Sequence, residues 1–206
     1  MPAMSFPLGS LGGEAGAASV AAPAVAPAWR RQALLLLAAL AWVLFVLAML
    51  TRDAADPAFS TSGTGEALRN RAGLLGARVA DLALFLFGFS AWWLVPVALR
   101  AWLSALARQL RAAQAAPAPP RWLFWAGLAL LMAASCALEW TRLYRWEPLL
   151  PGPAGGVVGY GLGVLSMRWL GFAGSGVLWI ALLVAGMALA MRFSWLRLAE
   201  IIGEES

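Results

Sequence analysis

The sequence predicts an all-α, polytopic integral membrane protein with four transmembrane helices and a short glycine-rich helix that is interfacial or re-entrant. Of its 206 residues, 62% are hydrophobic and 12% are charged, against about 25% charged in ordinary soluble domains. Most of its 12 Trp stand near the ends of apolar runs, which is typical of the aromatic belts at membrane surfaces. The run over residues 79–99 is almost unbroken, and at about 1.5 Å per residue it is long enough to cross a bilayer core of about 30 Å.

The first predicted elements are a tail, a span and a loop. Residues 1–31 are rich in Ala, Gly, Pro and Ser without periodicity, which predicts a flexible cytoplasmic tail. Residues 33–50 are continuously apolar and have arginines on both flanks, which predicts the first span. Arg30 and Arg31 also fit a twin-arginine signal, but no convincing small-residue cleavage site follows them, which favours a span. The turn residues within 51–74 predict a loop.

The second span, residues 79–99, contains Pro96 near its exit as the one expected helix break. Residues 100–114 then have helical periodicity, with a basic face made of Arg100, Arg108 and Arg111 opposite an apolar face. This segment is interpreted as a helix on an anionic membrane surface, as an extension of the second span, or as a solvated connector without a specific partner.

The last predicted spans are residues 122–138 and 172–191. The second of these belongs to a longer apolar run of 36 residues, 156–191, which is interrupted by Arg168 and many glycines. One helix of that length would overshoot the bilayer, and two full spans would leave no room for a turn. The sequence therefore predicts a glycine-rich helix over about 155–169 before the fourth span. The membrane domain is expected to cover residues 32–203, with residues 204–206 beginning a cytoplasmic linker or ending the chain.

The charged residues exclude several kinds of enzyme. All 15 basic residues are Arg, and the chain has neither Lys nor His, so it lacks a phosphate-binding GxxxxGK[ST] loop, a catalytic His and an HExxH zinc site. Ser90 and Ser135 are mid-span hydroxyls, but an intramembrane hydrolase would need a base to activate them. We therefore expect no catalytic, cofactor-binding or metal-binding residues. The lone Cys136 predicts no disulfide, and arginines scattered along loop edges favour membrane flanks over direct nucleic-acid binding.

The arginine distribution favours cytoplasmic termini. With both termini inside, the inner segments hold eight Arg and the outer segments hold seven; the inner set is 30, 31, 100, 108, 111, 121, 192 and 197. The bias is slight, but residues 100–121 carry four Arg, and two Arg precede the first span while one follows it. The positive-inside rule then places both chain ends in the cytoplasm.

Four short motifs follow one another along the chain: DPAFS at 56–60, NxxGxxGAxxAD at 70–81, GGVVG at 155–159 and FSWLRLAE at 193–200. Their order relative to the spans resembles the amino-terminal four-helix membrane domain of the FtsK/SpoIIIE family of bacterial DNA translocases, over about residues 30–203. The motif residues are Asp56, Pro57, Phe59, Ser60, Asn70, Gly73, Gly76, Gly155, Gly156, Gly159, Ser194 and Trp195.

This resemblance implies a membrane anchor in the bacterial inner membrane, at the division septum, which acts in cell division and chromosome partition. The implied partners are the lipid bilayer, divisome membrane proteins and a second copy of the chain. In that family an ATP-driven motor and a DNA reader follow the membrane domain, and this sequence contains neither, so we expect it to be either an excised domain or a short stand-alone protein. The alternative is a small transporter or channel-like protein, against which count the few polar residues inside the spans and the lack of a break other than Pro96.

Two local structures are also predicted. Arg78, Asp81, Glu139 and Arg142 lie near span ends that share one side of the membrane, which predicts one inter-helix polar cluster that fixes helix register. Asp56 is expected to cap its own turn, with Phe59 dipping into the interface. The glycines serve either packing within the chain or self-association.

Overall fold

The computed structural model describes residues 28–65, 67–110 and 121–191. Over these residues the fold is helical and without strands, and four stretches are long and apolar enough to span a membrane: Trp29–Leu50, Gly73–Leu110, Arg121–Arg142 and Gly156–Met191. The helices are α1 (Ala28–Leu50), α2 (Gly73–Phe87), α3 (Leu94–Leu110), α4 (Arg121–Arg142) and α5 (Gly156–Met191), with 3-10 segments at Gly88–Trp93 and Tyr144–Leu149. The predicted all-α membrane architecture is confirmed. The predicted tail was too long by four residues, because α1 already begins at Ala28; the rest of that tail and the linker over 204–206 lie outside the described residues.

The side chains are arranged as expected for a protein in lipid. Large apolar side chains point outward, as Leu36 (71% exposed) and Trp169 (77% exposed) illustrate. Many helix contacts are made by small residues such as Ala80, Ala91 and Ala134, all 0% exposed, beside a few large ones such as Leu131. Lipid tails are as apolar as Leu, so helices gain most by close backbone approach through small residues.

The second apolar stretch is not one continuous helix. It leaves the α-helical path at Gly88, whose φ of 59° is one that glycine adopts without strain. The chain then passes through the 3-10 segment Gly88–Trp93 before α3 begins. Pro96 is only the third residue of α3, within the first turn, where a helix tolerates proline. The expectation that Pro96 is the one break in this span is therefore wrong, because the break lies at Gly88.

A second break divides α5 at Gly171, where φ is 65° and ψ is −172°. The indole N–H of Trp179 donates to the Ser166 hydroxyl at 2.9 Å across this glycine, although thirteen residues of straight helix would separate them by about 20 Å. The chain therefore folds back at Gly171. The break lies between residues 155–169 and 172–191, where the sequence separates a short glycine-rich helix from the fourth span.

Close backbone contacts set the helix order. After the fold, α5 runs antiparallel to α4, because Gly186 lies against the backbone of Leu131 while Gly127 lies against that of Ala190. Likewise α1 and α3 are antiparallel and joined by two indole hydrogen bonds, from Trp42 to the Val95 carbonyl at 2.9 Å and from Trp102 to the Leu35 carbonyl at 2.8 Å.

These contacts define the two ends of the bundle. The loops over residues 51–72 and 143–155 meet at one end, here called the loop end, since Arg52 in the first loop donates to the Leu149 carbonyl in the second. The start of α1, the end of α3, the start of α4 and the end of α5 share the other end, here called the terminal end.

Candidate functional site

The first loop is folded around the buried carboxylate of Asp56, which is 2% exposed. Its Oδ1 accepts the backbone N–H of Arg69 at 2.7 Å, and its Oδ2 accepts that of Asn70 at 2.8 Å. The expectation that Asp56 caps its own turn is therefore wrong, because its acceptors are used thirteen and fourteen residues further on. The local cap comes from Asp53, whose Oδ1 accepts the N–H of Ala55 at 2.9 Å.

The amide of Asn70 joins this loop to the first two helices. Its Nδ2 donates to the Ala48 carbonyl at 3.0 Å, and its Oδ1 accepts the N–H of Ala72 at 2.9 Å, just before α2 begins. Gly76 lies one turn into α2, where a Cβ would come within 2.9 Å of the Asn70 Oδ1. The motif residues Asn70 and Gly76 thus fit one another, since the amide requires the space that the missing side chain leaves.

Asp81 is the second buried carboxylate and is 1% exposed. Its Oδ2 accepts the backbone N–H of Ser60 at 2.8 Å, and its Oδ1 pairs with the Arg52 guanidinium at 3.4 Å. Since Arg52 also contacts the second loop, this carboxylate connects α2 with both loops. Beside it, the exposed Phe59 ring stacks in a tilted arrangement on Phe85, with centroids 5.6 Å apart.

The third buried carboxylate, Glu139 of α4, lies at the helix break after α2. Its Oε1 accepts the N–H of Phe89 at 2.8 Å, and its Oε2 accepts the N–H and the hydroxyl of Ser90, both at 2.9 Å. These N–H groups belong to the first turn of the 3-10 segment, where a helix start carries partial positive charge and favours an anion. A carboxylate on one helix therefore caps the break in another.

A hydroxyl pair continues this network. The hydroxyls of Ser90 and Ser135 lie 2.8 Å apart, and the Trp93 indole N–H donates to Ser135 at 3.0 Å. Gly88 leaves room for the carboxylate, because a Cβ there would overlap the Glu139 Oε1 and the backbone of Gly155. Every polar group of this network has a partner inside the chain, so the arrangement holds the break in place.

The predicted single cluster of Arg78, Asp81, Glu139 and Arg142 does not form among the described residues. Asp81 and Glu139 have separate partners, and those of Glu139 begin at Phe89, eight residues after Asp81, or about 12 Å of helix. Arg78 is exposed. Arg142 donates to the Phe172 carbonyl and lies over the ring of that residue, 3.4 Å from its centroid, beside the fold in α5.

The second glycine motif serves close packing within the chain. A Cβ on Gly155 or Gly159 would overlap the carbonyl oxygen of Cys136, and one on Gly156 would overlap the backbone of Leu86. These glycines bring the start of α5 against both α4 and the end of α2.

The arginines of the predicted basic face do not share one environment. Arg100 donates to the Ala190 carbonyl at 3.0 Å and is thus directed at α5, whereas Arg108 is exposed. The segment up to Leu110 continues α3 without a break, as expected if it extends the second span. Arg111, Ser194 and Trp195 lie outside the described residues.

Sequence reasoning missed the acceptors and donors that join the elements. From the sequence, Arg52 was interpreted only as a residue that flanks the first span, and Ser90 and Ser135 were considered only as candidate nucleophiles. Two mid-span hydroxyls together with the glutamate one turn after Ser135 are a signal for a buried network, but the sequence did not reveal that Glu139 would bind backbone N–H groups of another helix.

The loop end is the candidate functional site, and it offers a rigid surface for binding. Over residues 28–65, 67–110 and 121–191, no group of three or more His, Cys, Asp or Glu side chains could hold a metal ion. The second loop forms an open groove of about 540 Å³ lined by Tyr144, Glu147, Pro148, Leu150, Pro151 and Gly152. Tyr144 in this lining and Trp146 two residues later are both exposed, and such aromatic side chains are enriched at protein interfaces.

Comparison with known proteins gives a consistent set of relatives. The model of the 4TM region of DNA translocase FtsK/SpoIIIE matches residues 28–203. DNA translocase FtsK 2 of Ralstonia nicotianae is 35% identical over 165 residues, which cover 78% of this chain and 21% of that protein. DNA translocase FtsK of Pseudomonas syringae pv. syringae is 32% identical over 203 residues, covering 90% and 24% of the two chains.

DNA translocase FtsK 1 of Neisseria meningitidis serogroup A is 32% identical over 167 residues, covering 80% of this chain and 20% of that protein. The chain thus spans between a fifth and a quarter of the length of these curated relatives. No solved structure matches it.

Proposed function

Since this chain belongs to the family of 4TM membrane regions of the FtsK/SpoIIIE DNA translocases, we propose that it is the membrane anchor of a DNA translocase. It acts at the division septum, in cell division and chromosome segregation, through localisation, assembly and partner binding. The observation that carries the proposal is the family match over residues 28–203, together with a membrane-spanning helical fold in those residues that the structure describes.

The proposed role is one of position and binding rather than catalysis in this chain. The matched part of the relatives is their 4TM region, which is not the ATPase motor. Each of the three carboxylates buried within the described residues accepts backbone N–H groups of the chain itself, so these acids stabilise the loop end. The pumping of DNA would belong to the other parts of a full-length translocase.

We place the chain in the bacterial inner membrane with both termini in the cytoplasm. Four spans return the chain to the side on which it began. The acids within the described residues are Asp53, Asp56, Asp81, Glu139 and Glu147, all at or near the loop end. The arginines at the terminal end therefore have no described acid beside them, which suits the anionic cytoplasmic leaflet.

The loop end is then the periplasmic surface that other membrane proteins of the divisome would bind. Arg52 ties its two loops together through Asp81 and Leu149, so a partner would meet a preformed surface and would not need to order it. Exposed Phe59 and Trp146 offer aromatic anchors there. A second copy of the chain is a further proposed partner.

Topology reporters test the orientation. Alkaline phosphatase inserted at the exposed Gly65, where an added Cβ would meet no atom within 4 Å, is expected to be active, whereas the same reporter after Ser206 is expected to be inactive. An active reporter after Ser206 would overturn the orientation and, with it, the anchor role.

A fluorescent fusion tests septal localisation with a matched pair of exposed tryptophans. The wild-type fusion is expected to be enriched at midcell, and Trp146→Ala at the loop end should reduce that enrichment severalfold. Trp122→Ala at the terminal end, where the side chain is similarly exposed, should leave it unchanged. An even distribution of the wild-type fusion contradicts septal anchoring, and equal effects of the two substitutions contradict partner binding at the loop end.

Three features of the structure favour the alternative, a small transporter or channel-like protein. The breaks at Gly88 and Gly171 and the buried Glu139 within a span resemble the broken helices of transporter sites. The anchor is favoured because the Glu139 carboxylate already accepts three hydrogen bonds within the chain. Proton or ion flux into vesicles that contain the wild-type chain, lost in Glu139→Gln, would support the alternative.

A further inference from the structure

An apolar cleft opens between α1, α3 and α4 in the terminal half of the bundle. Its volume is about 460 Å³, within the range of about 300–1,000 Å³ that ligand sites have. The cleft exists because α3 presents small side chains there, with Ala98, Ala101 and Ala105 on one face at helical spacing. Larger side chains form its walls, including Leu35 of α1 and Phe124 of α4.

The walls of the cleft offer almost no polar group to a ligand. Three tryptophans line it. The Trp42 indole N–H is bound to the Val95 carbonyl and that of Trp102 to the Leu35 carbonyl, whereas Trp125 is exposed. These two bonds also join α1 to α3 on either side of the cleft. The lining, which is made of alanine, leucine, valine and aromatic side chains, therefore suits a hydrocarbon group.

Each of the three helices that line the cleft carries an arginine about one turn closer to the terminal end. Arg31 precedes Leu35 by four residues, Arg108 follows Ala105 by three, and Arg121 precedes Phe124 by three. Residues three or four apart share a helix face, so these arginines flank the mouth of the cleft. All three side chains are exposed.

From this combination we propose that the cleft binds the acyl chains of an anionic phospholipid, with the lipid phosphate among Arg31, Arg108 and Arg121. Guanidinium groups bind phosphate through paired hydrogen bonds, and basic pockets between transmembrane helices suit anionic headgroups. The site would hold one anionic lipid at the anchor independently of any protein partner at the loop end.

A second copy of the chain fits the cleft less well. Two copies in one membrane have the same orientation, so a helix of the second copy would bring its own arginines beside those of the first. No described acid lies at this end to offset that repulsion. The charges thus favour an anionic occupant.

Native mass spectrometry tests the proposal on the chain released from nanodiscs that contain equal amounts of phosphatidylglycerol and phosphatidylcholine with identical acyl chains. The chain should retain phosphatidylglycerol at least fivefold more than phosphatidylcholine. Ala105→Phe should abolish retention by filling the cleft. Ala107→Phe, two residues away on the exposed face of α3, is the matched control and should retain lipid like the wild type.

The headgroup is tested separately by Arg108→Gln and Arg121→Gln, each expected to lower phosphatidylglycerol retention about fivefold, the effect of one basic residue near an anionic surface. Arg71→Gln, exposed at the loop end, should change nothing. Equal retention of the two lipids overturns the proposal, as does unchanged retention in Ala105→Phe. If Ala105→Phe fails to fold, as judged by lost helical circular dichroism, an unchanged headgroup preference in both arginine variants is decisive against it. A dimer that Ala105→Phe abolishes would place a second copy in the cleft and also refute the proposal.

Discussion

Replacing Glu139 by Gln perturbs the break after α2 while keeping the size of the side chain. The carboxylate accepts from the N–H of Phe89 on one oxygen and from the N–H and hydroxyl of Ser90 on the other. The glutamine amide has one acceptor oxygen and one NH₂ donor, so one of the two backbone N–H groups then faces a donor. An unsatisfied buried donor costs about 1–3 kcal/mol, and the loss of charge adds to it. We expect local opening of the break to become easier by about 2–3 kcal/mol.

The single cysteine reports this opening. Cys136 is fully buried, and its thiol lies 3.4 Å from the Phe87 carbonyl, beside the break. When opening is fast relative to the chemistry, the labelling rate by a membrane-permeant maleimide follows the open population. A change of 2–3 kcal/mol then predicts labelling about 30- to 150-fold faster in Glu139→Gln, with each rate divided by that of the same variant unfolded in SDS.

Two further variants make this result specific. Glu147→Gln changes an exposed glutamate of the second loop and should leave the rate unchanged. Ser90→Ala removes only the hydroxyl bonds and should give a rate between the two, about fivefold above wild type for a bond of about 1 kcal/mol. If Glu139→Gln were labelled within twofold of the wild type, the carboxylate would not be holding the break, and the reasoning would be refuted.

The remaining predictions concern backbone approach and the first loop. In a thermal unfolding assay, Gly88→Ala should destabilise the chain by more than 3 kcal/mol, because its Cβ would overlap Glu139 at a φ that favours glycine. The control Gly65→Ala has a similar positive φ but open space around the Cβ, and should cost about 1 kcal/mol. Equal costs for the two variants would contradict the overlap. Gly186→Leu should separate α4 from α5 and lower the melting temperature in detergent, whereas Gly161→Leu, with nothing within 4 Å, should not. Asp56→Asn should leave a backbone N–H unpaired, which lowers the free energy of opening of the first loop by about 1.5–3 kcal/mol and speeds its limited proteolysis at least tenfold. Cleavage at the wild-type rate would show that the carboxylate does not hold the loop.

The sequence was sufficient to predict the four membrane-spanning stretches, because a bilayer imposes a minimum length of apolar chain that few other structures need. It also placed a discontinuity before residue 172, since 36 apolar residues do not fit a single span. The break at Gly88 escaped prediction because one glycine in an apolar run is common in membrane helices. What makes this glycine different is the carboxylate of Glu139, fifty-one residues away in the chain.

The polar residues were recognised, but their partners were not. The rule that residues three or four apart interact led to a pairing of Asp81 with Arg78, whereas the fold pairs Asp81 with Arg52 and with the N–H of Ser60. A buried carboxylate can accept several hydrogen bonds, and backbone donors in a loop have no helical partner to compete. Only the tertiary arrangement decides which of these donors reaches it.

The same physics explains why small residues and buried acids determine how the described helices pack. In lipid, apolar side chains give helices little reason to associate, so the arrangement must be fixed by small residues and by polar bonds that have no better alternative. Asp56, Asp81 and Glu139 each bind backbone N–H groups of a different segment, and backbone donors remain when side chains change. These bonds therefore do not depend on the lipid-facing side chains, and they hold the loops in a fixed shape that the proposed anchor would present to partners outside the membrane.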